Sequence, residues 1–472
     1  MPSARLAARR ASVQSGALML YADTIAALAT PPGIGGVGII RISGPHAEFI
    51  VQAVFRPARR GTWRPYQMRY GHLVDGAGVV IDEALAVLFR GPRSFTGEDV
   101  AELHCHGGPL PLRRALEQIL THGARLAEAG EFTLRAFANG RIDLAQAEAT
   151  LDVIEAQTTL GLRLALDQLG GGLSREVKAV RERLLYPLAY VTALTDFPED
   201  DVPTDELGAP LHAALRDIEQ LLAGADQGVI VRNGARAALV GRPNAGKSSL
   251  LNALLRAERA IVTAIPGTTR DTLEETANLG GVPVVLIDTA GITETEDVVE
   301  RIGVARSQAA LARADLVLLL LDGSRPITPD DHAIARMTYE RPTLIVRTKA
   351  DLPTLAEIEP LTAIHPNGRG VVAVSVHSGA GVAELGAAVA QILLGGLPLS
   401  DARLVTNPRH RDALRRAQAA VAEALTGLGE GRPVDLIAVD LHDAVASLGE
   451  ITGETVEDDL LNTIFSRFCI GK

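Results

Sequence analysis

The run Ala238-Leu-Val-Gly-Arg-Pro-Asn-Ala-Gly-Lys-Ser-Ser-Leu-Leu-Asn252 constrains the fold more than any other stretch, because an apolar strand, a glycine-bounded loop and an apolar helix start follow without a gap. Between Gly241 and Ser248 the spacing is G-x-x-x-x-G-K-S. Small residues there let backbone N–H groups curl around phosphates, while Lys247 supplies a point charge and Ser248 a magnesium ligand. The arrangement predicts a strand–loop–helix unit that binds a nucleoside triphosphate.

Downstream, Val282-Pro-Val-Val-Leu-Ile-Asp-Thr-Ala-Gly291 ends a β-branched strand in Asp-x-x-Gly. Asp288 is placed to meet magnesium and Gly291 to bring its N–H to a γ-phosphate, which defines a switch GTPase rather than a kinase. A third strand runs into Thr348-Lys349-Ala350-Asp351. A carboxylate accepts two parallel hydrogen bonds from guanine, and adenine offers no matching pair, so guanine is favoured. Thr348 stands where the usual Asn-Lys-x-Asp form has Asn. The shorter hydroxyl is expected to keep the selectivity that rests on Asp351 while weakening the hold on the base. Residues 371–379 read as a strand whose following Ser375-Val376-His377 would back the guanine, loosely resembling the usual Ser-Ala-Lys. With the apolar run 316–321 as a buried strand, the order of these pieces fits one Ras-like α/β domain at residues 234–395.

The first switch falls on Ile261-Val-Thr-Ala-Ile-Pro-Gly-Thr-Thr-Arg-Asp271, with Thr269 as the second magnesium ligand. Arg270 reads equally as an intrinsic charge stabiliser and as a salt-bridge partner of Asp271 or Glu274. After Gly291 comes Ile292, where Ras-type switches carry a water-orienting Gln, so another group must position the attacking water. Glu294, Glu296, Asp297 and Glu300 follow closely, and the bare sequence also allows each to be a solvated helix-start acid.

Gly241-Arg-Pro-Asn-Ala-Gly-Lys-Ser-Ser249, Gly267-Thr-Thr-Arg-Asp271 and the terminal Cys469-Ile-Gly-Lys472 together resemble the MnmE (TrmE) family of tRNA modification GTPases, from about Asp23 to the last residue. On this reading GTP is contacted by Asn244, Ala245, Gly246, Lys247, Ser248 and Ser249; by Thr263, Ala264, Ile265, Pro266, Gly267, Thr268 and Thr269; by Asp288, Thr289, Ala290 and Gly291; and by Thr348, Lys349, Ala350, Asp351, Ser375, Val376 and His377. Mg2+ is expected on Ser248, Thr269 and Asp288, directly or through water. The resemblance implies K+ on Asn244, Thr263, Ile265 and Thr268, standing in for an arginine finger, and Glu300 as the water-orienting residue. Glu300, Lys247 and Arg270 are then the candidate catalytic groups.

In that family the tail reaches the N-terminal domain, where the resemblance implies a site for 5-formyl- or 5,10-methylene-tetrahydrofolate on Arg41, Glu102, Arg141 and Lys472. Arg141 departs from the lysine of some relatives, keeping the charge but not the shape. Cys469 stays open between a tail nucleophile and a small residue packed beside the ligand. The implied partners are a second copy of the chain, an FAD-containing MnmG-like protein in a heterotetramer, and tRNA. The implied activity attaches a carboxymethylaminomethyl or aminomethyl group to C5 of a wobble uridine, with GTP hydrolysis driving pairing and separation of two GTPase domains. Two rivals remain at this point: a ribosome-assembly GTPase of the Era or EngA kind, and a folate-binding regulatory module with a weak or vestigial GTPase, which Thr348 favours.

The fold class expected is multi-domain α/β plus α. At 472 residues and 47% hydrophobic composition the chain holds two to four domains with real cores. A net charge of −11 argues against a general nucleic-acid wrapper, so RNA contact needs a local patch or a basic partner. Asn407-Pro-Arg-His-Arg-Asp-Ala-Leu-Arg-Arg416 is one basic segment, which reads also as a solvated helix face. Two cysteines, Cys105 and Cys469, suit a reduced cytoplasmic setting, and no apolar run reaches membrane-spanning length.

Residues 1–20 carry Arg5, Arg9 and Arg10 without an acid, and read as a disordered extension or upstream start rather than an organellar presequence. Residues 21–137 read as an N-terminal α+β domain for folate binding and dimerisation. Its Pro31-Pro-Gly-Ile-Gly-Gly-Val-Gly38 precedes a strand and fails as a dinucleotide motif on that context, leaving a turn with Arg41 projecting from the strand. His104 and His106 share a strand face, as hydrogen-bonded or core histidines or, less naturally at that spacing, as metal ligands. Residues 138–233 and 396–472 read as two segments of one helical domain, with the GTPase domain inserted between them.

Overall fold

The computed structural model describes residues 23–196, 207–257, 275–288, 311–358, 361–362, 368–396 and 405–472. The expected N-terminal extension lies outside the described residues. The chain divides into two compact units, one reaching Leu151 and including Thr452–Lys472, the other spanning Asp152–Ile451.

The first unit contains β1 (Thr24–Leu28), β2 (Gly35–Ser43), α1 (Ala47–Val54), β3 (Phe55–Pro57), β4 (Arg69–Val74), β5 (Val80–Phe89), β6 (Val100–Gly107), α2 (Pro109–Thr121), β7 (Ala124–Leu126), α3 (Glu131–Ala138) and the start of α4 (Leu144–Glu155). Its seven-stranded sheet runs β3-β4-β5-β6-β2-β1-β7. Period-two alternation sorts the strands' side chains: Ile40, Ile42, Ala101, Leu103 and Cys105 pack with Ile50, Val51 and Val54 of α1 and Leu112, Ala115 and Ile119 of α2. Arg41, Glu102, His104 and His106 therefore occupy the opposite sheet face. β2 begins within the glycine run, at Gly35, earlier than a turn through Gly38 allows.

The unit extends beyond residue 137 because Leu144 and Ala147 form an apolar cluster with Ile464, Phe465 and Phe468, against Phe137. Beyond the helix Asp458–Phe465, Ile470 makes an antiparallel bridge to Ala129. At Gly471 φ is +100°, and a Cβ would lie 2.0 Å from the Leu28 carbonyl oxygen, so the tail approaches β1 as only glycine allows.

The second unit has a six-stranded sheet built from β8 (Ala235–Val240), β9 (Glu275–Leu279), β10 (Val282–Asp288), β11 (Leu316–Asp322), β12 (Thr343–Thr348) and β13 (Gly368–Ala373), in the order β13-β12-β11-β8-β10-β9. Every pairing is parallel except β9 with β10. Residues 316–321 are all buried, as a central parallel strand covered on both faces requires. The helices are α5 (Thr159–Leu169), α6 (Gly172–Asp196), α7 (Gly208–Leu222), α8 (Ala225–Asn233), α9 (Lys247–Ala257), α10 (Pro329–Met337), α11 (Val382–Leu393), α12 (Pro408–Glu430) and α13 (Val434–Thr452).

In α6 apolar residues recur every three or four positions on one face: Leu173, Val177, Val180, Leu184 and Val191 are buried, with Leu188 and Leu194 half-buried. α7 packs against α6 and α12. The basic segment starts α12, behind an Asn407 cap and Pro408. Its charges are met internally: Arg411 and Arg415 pair with Asp226, Arg416 with Glu450, and Arg409 donates to the Glu450 carbonyl. The segment is a compensated helix face, not a free basic patch.

Candidate functional site

β8 sits where the strand order reverses, between β11 and β10, and a loop leaving the carboxyl end of a strand there opens into the crevice that parallel sheets use for ligands. The loop 241–246 fills that position and feeds α9, whose first residue is Lys247. Gly246 has φ of +93° and Asn244 of +65°, a left-handed stretch that turns the chain tightly into the helix. Lys247 is buried, and its Nζ donates to the carbonyls of Gly241 at 2.6 Å and Arg242 at 2.8 Å. An ammonium has three protons, so one remains for a phosphate. Burial holds its pKa below the ordinary lysine value, opposed by Asp288.

Ser248 Oγ donates to Asp288 Oδ2 at 3.0 Å, joining the start of α9 to the end of β10. A hydroxyl and a carboxylate oxygen set together beside a phosphate loop are hard donors of the kind magnesium takes, so the residues present fit that ion. Asn244 is exposed in the loop. The other candidates for potassium, Thr263, Ile265 and Thr268, lie outside the described residues, as do Ala264, Pro266, Gly267, Thr269, Arg270, Thr289, Ala290, Gly291 and Glu300.

The base-reading pieces meet at the ends of β12 and β13. Ser375 Oγ donates to Asp351 Oδ1 at 2.6 Å, which holds that carboxylate below its ordinary pKa and leaves the exposed group charged and oriented. Ala350 N donates to Val374 O at 3.1 Å, tying the two loops together, with His377 exposed beyond them. Lys349, at φ +56°, reaches Asp322 Oδ2 at 2.6 Å. Burial raises the Asp322 pKa, but Lys349 and Ser324 together outweigh it and the net shift is downward. Asp322 escaped the sequence reading, since nothing in the order of residues pairs the end of β11 with Lys349.

Thr348 ends β12. Its side chain is buried, and its hydroxyl lies 2.8 Å from the Ala245 carbonyl and 3.1 Å from the Leu321 carbonyl. The hydroxyl thus ties the strand end to the phosphate loop and is not turned toward a base.

In the first unit, β2 and β6 are in register at Arg41 and Glu102, and Arg41 Nε donates to Glu102 Oε1 at 2.9 Å. The Arg41 guanidinium lies over Phe95 at 5.1 Å and Phe132 at 5.8 Å. Its Nη1 is buried with no hydrogen-bond partner among the described residues. His104 Nε2 stands 3.4 Å from Glu102 Oε2, and the exposed His106 is hydrogen-bonded through Nδ1 to Asp82 at 2.7 Å.

The tail brings Lys472 close enough for Arg41, Glu102 and the Cys469 sulfur to act on its charge. Burial, then Arg41, depress its pKa, with Glu102 and Cys469 opposing. Cys469 is exposed. Arg141 Nε donates to the Ser94 carbonyl at 3.3 Å, beside Phe95 in the chain. An orphaned buried guanidinium nitrogen near a half-buried ammonium fits a ligand that brings acceptor oxygens or ring nitrogens, as a tetrahydrofolate does.

A mostly parallel sheet with a phosphate loop at its switch point, a helix-start serine joined to a strand-end aspartate and a carboxylate set for guanine define a P-loop GTPase. Two family profiles match the chain: the MnmE helical domain over residues 144–469 and the GTP-binding protein TrmE N-terminus over residues 24–141. The tRNA modification GTPase MnmE of Roseiflexus sp. (strain RS-1) is 59% identical over 461 residues, covering 96% of this chain and 100% of that protein. Its namesake in Chloroflexus aurantiacus is 60% identical over 452 residues, covering 95% and 100%. That of Geobacter sulfurreducens is 46% identical over 460 residues, covering 96% and 100%. The chain belongs to the MnmE family of tRNA modification GTPases.

Proposed function

We propose that this GTPase modifies C5 of the wobble uridine in certain tRNAs, adding a carboxymethylaminomethyl or aminomethyl group together with an FAD-containing MnmG-like partner. The observation that carries the hydrolytic half is the convergence of Lys247, Ser248 and Asp288 at the carboxyl ends of β8 and β10. GTP sits along the loop 241–249 with its base at Asp351. Ser248, Asp288 and Thr269 hold Mg2+, and Asn244 with Thr263, Ile265 and Thr268 hold K+. Glu300 orients the attacking water, and Arg270 stabilises charge.

Arg41, Glu102, Arg141 and Lys472 hold a one-carbon tetrahydrofolate, which when bound supplies the carbon of the new group. Arg41 and Lys472 provide donors for that ligand, Glu102 an acceptor, and the aromatic rings of Phe95 and Phe132 hold the guanidinium in place and shelter it from water. Cys469 is adjacent as a thiol of unassigned use. The working particle is a homodimer joined through the N-terminal domains, residues 21–137, with the GTPase domain, 234–395, inserted in a helical domain of residues 138–233 and 396–472. It acts in the cytoplasm. Among the described residues no helix is long and apolar enough to cross a membrane.

The test is nucleoside analysis of tRNA from cells lacking the protein. The expected result is loss of the C5 substituent at the wobble position; unchanged wobble uridines would remove the assigned substrate. GTP hydrolysis measured in potassium and in sodium checks the metal reading, with turnover expected only in potassium.

A further inference from the structure

In a chain of net charge −11 several arginines of the first unit answer an acid. Arg90 pairs with Glu48 and Asp99, Arg114 with Asp75, and Arg125 with Asp23 and Glu131. Arg59, Arg60, Arg64 and Arg93 are exposed and form no ion pair among the described residues. Arg59, Arg60 and Arg64 lie in the connection from β3 to β4, at the end of the strand order opposite to β7, and Arg93, in the loop after β5, is tied to that connection through Tyr66.

That surface is built rather than loose. Arg69 donates to the carbonyls of Arg59 at 2.6 Å and Gly61 at 2.9 Å, and its guanidinium lies 5.1 Å from the Trp63 ring centre. Trp63 meets the buried Phe55 edge-on. Tyr66, at φ +63°, donates its hydroxyl to the Arg93 carbonyl at 2.5 Å and its N–H to the Leu88 carbonyl at 2.8 Å, which joins Arg93 to the loop. Tyr66 and Met68 are about half exposed in the same loop, at 53% and 48%.

We propose that this loop, residues 58–68 with Arg93, is the chain's own RNA-binding surface and takes the phosphate backbone of tRNA, with Tyr66 offering a face to an unpaired base. Unneutralised guanidiniums interleaved with exposed aromatic rings are the combination that polyanionic, partly single-stranded ligands select. The proposal rests on the tRNA modification reading and names the surface that reading lacks, since the basic start of α12 is neutralised by Asp226 and Glu450.

The experiment is retention of bulk tRNA by the full chain between about 50 and 200 mM monovalent salt. R59E/R60E/R64E is expected to weaken binding about tenfold or more at low salt and to flatten the slope of log affinity against log salt by about 2 to 3. R59K/R60K/R64K is expected to restore most of both, and tetrahydrofolate binding together with Trp63 fluorescence is expected to be equal in all three proteins, which certifies that their first unit is folded. Unchanged tRNA binding by the charge-reversed chain overturns the proposal. So does a wild-type chain that binds anionic phosphatidylglycerol vesicles and no tRNA. In that last case the cellular nucleoside analysis still decides the modification reading separately.

Discussion

The phosphate loop draws its groups from the single stretch 241–248, whereas the Arg41 site is assembled from β2, β6, the segment between α3 and α4 and the last residue of the chain, Lys472. A site made from consecutive residues inherits its geometry from a local turn and a helix start. The Arg41 site inherits its geometry from strand register and from a tail threaded past Leu28, so it exists only when the whole first unit is folded. Damage to the first unit's scaffold is therefore expected to abolish ligand binding at Arg41 while GTP turnover persists.

The sharpest break is at Arg135, which is fully buried and bonded to Asp23, Glu98 and Glu131. Arg135→Met leaves Glu98 with no cation among the described residues and takes one of two from Asp23 and Glu131, and is expected to cost the first unit about 3–5 kcal/mol. Trp63 is the chain's one tryptophan, so its fluorescence reports on this unit alone. The same network carries an acid limb. Burial raises the pKa of Asp23 and of Glu131, but Arg135 and Arg125 outweigh it, and both fall below their ordinary values of 3.8 and 4.5. Depressed carboxylates add stability that is fully present above those values and is lost as pH falls through the folded ones. The Trp63 transition of the wild type is expected to drop steeply below about pH 4, and that of Arg135→Met to drop less. Equal acid sensitivity in the two proteins would dissolve the proposed role of the network.

Next in size is Lys247→Ala, expected to lower kcat/KM for GTP about a hundredfold or more, near 3 kcal/mol, with tetrahydrofolate affinity unchanged. A variant that loses both would show that the sites are not independent. The contrast also explains what the order of residues discloses. The loop and the strand 316–321 were legible because each is a short local pattern. Arg135 was not, because a charged residue in a helix looks the same solvated or buried, and only the surrounding acids decide. The Arg41 site was reached through family resemblance; no local signal links Arg41 to a residue at the other end of the chain.

A smaller effect is expected where the tail meets β1. Gly471→Val places a side chain against the Leu28 carbonyl at a left-handed φ, and is expected to release the last residues at a cost of about 1–3 kcal/mol. Tetrahydrofolate titration should then match that of a chain lacking Lys472, and GTP turnover should not change. If Gly471→Val binds folate normally, the tail is not a wall of that site.

The smallest effect concerns Thr348, and it tests whether the phosphate loop is as self-sufficient as its sequence implies. The hydroxyl has one proton for two carbonyls, those of Ala245 and Leu321, so it donates to one at a time. Thr348→Val keeps the shape, removes the donor and is expected to weaken guanine nucleotide binding by about fivefold, near 1 kcal/mol, through a looser loop. Thr348→Asn supplies two amide protons for the same pair of carbonyls and is expected to tighten binding by a similar factor. Preference for guanine over xanthine stays with Asp351 in both, because the buried hydroxyl faces the loop backbone. Fluorescent-nucleotide titration separates the cases: a change in base preference without a change in affinity would put Thr348 at the base, and the loop would need no tether from β12.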